Sequence, residues 1–179
     1  VEAGSRAYRP TISLPNCEVK MLKPQNIVEM LHFGTRDAGF AGADWVQELD
    51  ADLVEVLDTG LDRVRVVVAI PEGGSLNAFP VRVVSEMESL TRRWIAEKKL
   101  DAEFIRSYGA TEVFPPEDAD AIVDITASGA TLAANNLVIV DEIIQSTTRF
   151  YASQAAWADP ARRERIESLA VLLRSVIEA

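Results

Sequence analysis

The stretch Asp120-Ala-Ile-Val-Asp-Ile-Thr-Ala-Ser-Gly-Ala-Thr-Leu132 concentrates residue types that can hold an anion. An apolar strand runs into Asp124. A turn of small and hydroxyl residues follows, Thr126 to Thr131, and Leu132–Leu137 then reads as helical. Such a turn offers successive backbone N–H groups at a helix N-terminus, where donors and dipole together favour a phosphate. Small side chains at Ala127, Ser128, Gly129 and Ala130 let an anion approach the backbone. Gly129 permits a positive φ. The Ser128 and Thr131 hydroxyls can donate to phosphate oxygens. Asp124, at the carboxyl end of its strand, can hold a ribose hydroxyl or a hydrated magnesium ion. The same residues also fit an ordinary strand-to-helix turn with an N-cap, and the pattern alone leaves both readings open.

Three further places carry chemistry-bearing residues. Asp37-Ala-Gly-Phe-Ala-Gly-Ala-Asp44 is punctuated by Gly39 and Gly42. The spacing is not G-x-G-x-x-G, so no dinucleotide fingerprint follows, and tight packing near a cleft competes with ligand contact. Lys20 and Lys23 can serve an anionic ligand or stand solvated. Glu112 follows Tyr108-Gly109-Ala110-Thr111, a glycine-containing turn that suits a surface carboxylate as well as a site.

The composition bounds what these residues can do. The chain has 179 residues, enough for one domain or two small lobes without a disulfide or metal staple. With 18 Lys and Arg against 28 Asp and Glu, the net charge is −10, which disfavours general nucleic-acid binding. Cys17 and His32 are the single cysteine and histidine, so an internal disulfide, a Cys/His zinc site and a Ser-His-Asp triad have almost no material. No apolar run approaches the roughly 20 residues of a membrane span, and no signal peptide is visible. A cytoplasmic location is the expectation. The chain opens at Val1 rather than Met, and VEAGSRAYRP reads as the middle of a longer protein.

The elements that must position the loop follow from pattern. Strands are expected at Glu18–Leu22, Ala38–Ala41, Leu53–Leu57, Val64–Ile70, Val81–Val84, Ala102–Ile105, Ala121–Ile125 and over Leu137–Ile144. Helices are expected around Ile27–Leu31, Trp45–Leu49 and Leu90–Lys99. In the last one, Asp159 caps, Pro160 sits first, and Ile166, Leu169, Ala170, Leu173, Val176 and Ile177 line one face. Pro71–Pro80 is a Gly/Pro loop. Alternating strands and helices indicate an α/β fold with mixed, mostly parallel sheets covered on both faces.

Taken together, several of these segments resemble one family. Tyr108-Gly-Ala-Thr-Glu-Val-Phe-Pro-Pro116, Asp120–Asp124, Ser128-Gly-Ala-Thr-Leu132 and Ala134-Asn-Asn-Leu137 resemble the catalytic subunit of ATP phosphoribosyltransferase. Gly34–Gly42, Ser5–Pro10, Lys23-Pro-Gln25, Ser146-Thr-Thr148 and Ala156–Asp159 resemble its other segments, in order along nearly the whole chain. The resemblance implies a two-lobed, type II periplasmic-binding-protein-like fold with the active site between the lobes. The first lobe would hold residues 1–70 and 151–179, and the second 71–150, with crossings near Ile70 and Tyr151.

The resemblance also implies the chemistry. Asp124 to Leu132 would be the phosphoribosyl diphosphate loop, with Thr126, Ala127, Ser128, Gly129, Ala130, Thr131 and Leu132 at the 5′-phosphate. Asp124 would sit by the ribose hydroxyls or magnesium, with Glu112 as a second carboxylate beside it. Lys23 stands where the family usually has Arg. Asp37, Gly39 and Gly42 would line the nucleotide side. The implied reaction joins ATP and phosphoribosyl diphosphate, with magnesium, in the first step of histidine biosynthesis, carried out by a homo-oligomer (dimer or hexamer). Three departures stand beside it. The family's Lys-Gly-Arg motif is absent from this sequence, Ala127 and Ala133 replace a frequent Glu and Arg, and the chain stops before the usual histidine-binding domain. These departures suit the alternative of a non-catalytic paralogue or regulatory subunit.

Overall fold

The computed structural model describes residues 8–178; Ser5, Arg6 and Ala7 of the expected upstream segment lie outside the described residues. In chain order the elements are α1 (Pro24–His32), β1 (Ala38–Gly42), α2 (Ala43–Glu48), β2 (Leu53–Pro71), β3 (Val81–Ser85), α3 (Glu88–Lys98), β4 (Ala102–Arg106), a 3-10 turn (Thr111–Val113), β5 (Ala121–Thr126), α4 (Ala130–Ala134), β6 (Leu137–Ser153), α5 (Gln154–Ala158) and α6 (Pro160–Ile177).

The strands form one sheet in the order β1-β6-β2-β5-β3-β4. Strands β3–β4 and β3–β5 pair in parallel, and β1–β6, β2–β5 and β2–β6 pair antiparallel. The sheet is mixed as expected, but antiparallel pairing carries more of it than the alternation of strands and helices implied. The reason is β2 and β6, which run side by side from Leu53↔Ser153 to Pro71↔Leu137. The two segments expected at Leu53–Leu57 and Val64–Ile70 are therefore one strand. Its register shifts between Asp58, Leu61 and Val64, where Gly60 and Asp62 take positive φ. Ile70 and Tyr151 both lie within paired stretches, opposite Val138 and Glu55.

Side-chain alternation along these strands fills both faces of the sheet. Val66, Val68 and Ile70 join Val83, Leu90 and Trp94 on one side, while Val67 and Ala69 join Ile122, Leu132 and Leu137 on the other. At the other end of β6, Phe150 and Ala152 pack with Ile166 and Ala170 of α6, and Tyr151 packs with Val28 and Leu31 of α1. The buried Glu48 carboxylate on α2 accepts from Ser89 N–H at 3.0 Å and Leu90 N–H at 2.9 Å, which caps α3 across the fold.

Three expectations are corrected. Glu18–Leu22 is not a strand: Met21 donates one backbone hydrogen bond to Tyr8, and Met21 and Leu22 remain exposed because no strand or helix covers them. The helix after the loop spans Ala130–Ala134, and Leu137 already opens β6. On α6, Asp159 caps Ala161 and Arg162 with Pro160 first, as expected, yet Val176 is exposed and only Ile166 and Ala170 are buried. The apolar stripe outruns the sheet it packs on.

Candidate functional site

Strand β5 delivers the loop. Its apolar residues Ala121, Ile122 and Val123 are buried between β2 and β3, and its last three residues emerge half-buried. Ser85 fixes this end of the sheet: its Oγ donates to the Val123 carbonyl at 2.7 Å and accepts from Met87 N–H at 2.9 Å. The loop folds by local side-chain bonds. Thr126 Oγ1 accepts from Gly129 N–H at 2.8 Å, and Ser128 Oγ accepts from Ala130 N–H at 3.3 Å. Gly129 takes φ +80° and opens α4. Leu132 anchors α4 by burying its side chain in the core, so only its backbone faces the turn.

The amides of Ser128, Thr131 and Leu132 donate to no acceptor among the described residues. Three free donors thus stand beside an exposed turn, an arrangement that can accept an anion. Thr126 serves by shaping the turn, since its hydroxyl is engaged with Gly129.

Asp124 is the fourth residue of β5, opposite Val67 of β2, with Ile125 and Thr126 following it in the strand. Burial pushes its carboxyl up to about 6; the Ile125 N–H bond at 2.7 Å opposes this, and the charges of Glu112 and Glu86 add to it. Glu112 is half-buried on the 3-10 turn, which a buried Ser107–Thr111 hydroxyl pair at 2.7 Å holds in place. The structure thus brings Asp124, Glu112 and the Thr126–Leu132 loop together at the carboxyl ends of β4 and β5, where open α/β sheets bind their ligands.

The other named residues are placed elsewhere. Lys23 caps the start of α1 and is exposed. Asp37 is exposed before β1 and pairs with Arg162 at 3.1 Å. Gly39 is bare for packing: a Cβ there would stand 3.1 Å from Ile27 Cγ2 and 3.5 Å from Leu31 Cδ1 of α1. At Gly42 the Cβ position is taken by the carboxylate of the buried Asp44, whose Oδ1 accepts from Ser146 Oγ while its N–H donates to that same oxygen at 3.0 Å. Gly42→Ala is therefore expected to displace Asp44 and destabilise the chain by about 2 kcal/mol. In an Asp44→Ala background the same change should cost much less, a coupling that a double-mutant cycle by chemical denaturation measures.

Pattern reading missed a groove of about 380 Å³ lined by Asp58, Arg63, Arg65, Ala127, Ser146 and Arg149, among others. It joins the loop, through Ala127, to the irregular part of β2. Arg65 pairs with Glu142 at 3.2 Å and Arg149 with Glu55 at 2.6 Å, whereas Arg63 bonds only the Gly60 carbonyl among the described residues. Basic residues one or two apart on a strand, Arg63-Val64-Arg65, were the available signal.

Among the described residues no three acidic, His or Cys side chains stand close enough to cage a metal ion. A magnesium ion carried in with diphosphate oxygens and water asks for only one or two carboxylates, and Asp124 at the mouth of the loop fits that demand.

The family model for ATP phosphoribosyltransferase matches residues 23–175. An ATP phosphoribosyltransferase from Desulforudis audaxviator is 38% identical over 188 residues, covering 100% of this chain and 65% of that protein. One from Prosthecochloris aestuarii is 38% identical over 184 residues, covering 98% and 63%. The chain thus spans just under two thirds of the length of these relatives. The solved ATP phosphoribosyl transferase (HisG:HisZ) complex from Thermotoga maritima superposes with a TM-score of 0.86 at 28% identity, over 97% of this chain and 88% of that one. An ancestral amino-acid-binding protein aligns at TM-score 0.55 and 14% identity, over 86% and 69%, a likeness of fold alone that places the sheet in the type II periplasmic-binding-protein-like class. Loop, collinear segments and whole-chain similarity agree: this chain belongs to the ATP phosphoribosyltransferase family.

Proposed function

We propose that the chain is the catalytic region of an enzyme that joins ATP to phosphoribosyl diphosphate, giving phosphoribosyl-ATP and pyrophosphate, the first step of histidine biosynthesis. The observation that carries this reading is the Ser128–Leu132 turn with its three free amides beside Asp124. In it the loop amides hold the 5′-phosphate, and Asp124 and Glu112 face the ribose. Adenine N1 attacks ribose C1, and the C1–O bond to the diphosphate breaks, its electron pair leaving with pyrophosphate. Positioning the two reactants supplies most of the acceleration. Bound magnesium would neutralise the departing diphosphate, with Asp124 as its protein ligand.

The groove with Arg63, Arg65 and Arg149 suits the phosphates of the nucleotide. Gly42 reaches that groove through Asp44 and Ser146. Asp37 belongs to the nucleotide side by resemblance, and Lys23, just before α1, stands where the family usually has Arg. The crossings between the two lobes lie near Ile70 and Tyr151; the irregular stretch Asp58–Val64 of β2 precedes the first, and its partners Ser146–Arg149 on β6 precede the second. The exposed apolar side chains Val171, Leu172 and Val176 of α6 favour association with a second copy, as a dimer or hexamer. No helix among the described residues is long and apolar enough to cross a membrane, and the cytoplasm is the proposed location.

The test is turnover by the full-length gene product with ATP, phosphoribosyl diphosphate and magnesium, read as formation of phosphoribosyl-ATP. Tight binding of phosphoribosyl diphosphate without product would overturn the catalytic reading in favour of a binding paralogue.

A further inference from the structure

Parallel pairing of β3 with β5 sets Ser85 opposite Val123, so the next residues along the chain, Glu86 just past β3 and Asp124 on β5, follow side by side. Strand β4 ends at the same level, with Ser85 opposite Arg106 and Ser107 N–H donating to the Ser85 carbonyl at 3.0 Å. Glu86 is half-buried there. A Cβ built on Gly109 would stand 3.9 Å from Glu86 Oε1, so the carboxylate reaches toward the turn that carries Glu112. Among the described residues this carboxylate makes no hydrogen bond and no ion pair. The nearby Arg106 guanidinium is committed to Glu88 at 2.6 Å and to the Glu86 backbone carbonyl at 2.7 Å.

A half-buried carboxylate with no partner, at the mouth of a phosphate cradle, has acceptor capacity to offer. Glu86, Asp124 and Glu112 do not converge closely enough to cage one ion, yet Glu86 and Glu112 both make their charge felt at Asp124. Carboxylates that are near one another without caging an ion suit the several hydroxyls of a sugar better than a single cation. Of the neighbours of Asp124, Arg65 on β2 is paired with Glu142 and α4 carries no ionisable residue, while Arg63, further along β2, bonds only the Gly60 carbonyl among the described residues.

We propose that Glu86 is a ribose-binding residue of this site, accepting a hydrogen bond from a sugar hydroxyl while the Ser128–Leu132 amides hold the phosphate. The assignment rests on the loop reading above and extends it to a residue that directly follows a third strand. The role is specific to the sugar. Ribose 5-phosphate needs both the loop and Glu86, whereas inorganic phosphate needs the loop alone.

Calorimetry with these two probes tests it. Glu86→Gln keeps the size and removes the charged acceptor. Ribose 5-phosphate binding is expected to weaken by about tenfold, the worth of one hydrogen bond to a charged group, with inorganic phosphate unchanged. Inorganic phosphate binding in the same sample reports that the variant is folded. Glu86→Asp, which retracts the carboxylate by one methylene, should give a smaller loss and serves if the first variant fails to fold. An unchanged ratio of the two affinities in both variants overturns the role of Glu86 alone. Failure of the unaltered protein to bind either probe overturns the loop reading, and this proposal with it.

Discussion

At pH 7.5 the Asp124→Asn variant is expected to melt at a higher temperature than the unaltered chain and to have lost most of its turnover. The carboxyl titrates at about 6 in the fold against an ordinary 3.8, chiefly because it is buried beside the loop. The folded chain thus holds a proton that the unfolded chain releases between about pH 4 and 6. The stability from this group is full below about pH 4 and is lost as the pH rises through 6. Above that, an ionised Asp124 costs the fold about 2–3 kcal/mol, since each tenfold change in proton affinity is worth about 1.4 kcal/mol. Asparagine removes the charge while its Oδ1 still accepts from Ile125 N–H, the local bond at 2.7 Å. For a chain of this size the gain is roughly 5 °C or more at pH 7.5, shrinking to nothing near pH 4. Turnover should move the opposite way, because the charge facing ribose and magnesium is gone. Thermal melts across pH 4–8, set beside turnover at saturating magnesium, check both halves. A variant no more stable at pH 7.5 than at pH 4, relative to the unaltered chain, would show that Asp124 is not a stored electrostatic cost.

This opposition between stability and use explains which parts of the site were legible in sequence. The Asp120–Leu132 segment is local: an apolar run, a hydroxyl-rich turn and a glycine lie within thirteen residues, and each takes its conformation from its neighbours. The long strands are not local. Strand β2 contains Thr59-Gly60, which reads as a break, and only pairing with β6, about ninety residues away, carries the strand across it. Gly39 and Gly42 showed where space was needed but not for what; one makes room for α1 and the other for the Asp44 carboxylate. Glu86 and Arg63 gave no motif because their relation to the loop depends on register between strands. Glu86 had a weak signal even so, as the first carboxylate after the apolar strand Val81–Ser85, at the end where α/β sheets bind ligands.

The second large effect is expected at Gly129. Its φ of +80° sits in the left-handed region, and a Cβ there would meet Ile139 Cδ1 at 3.5 Å, an ordinary contact. Space is therefore not the obstacle; backbone conformation is. Valine, branched at Cβ, is the least tolerant choice there, at about 1–3 kcal/mol of strain. The loop can escape that strain only by turning the 129–130 backbone toward negative φ. That movement breaks the Thr126–Gly129 bond at 2.8 Å and shifts the free amides of Thr131 and Leu132 that follow it. Gly129→Val should then weaken phosphoribosyl diphosphate binding by at least tenfold, with a smaller loss of global stability because the turn is exposed. Asparagine adopts left-handed backbone far more readily, so Gly129→Asn should keep most of the affinity and Gly129→Ala should fall between them. That ranking separates backbone geometry from bulk, since Ala is smaller than Asn. Calorimetric affinities in the order Asn, Ala, Val place the phosphate on the loop amides. Equal affinity in all three variants would remove the loop from the binding site.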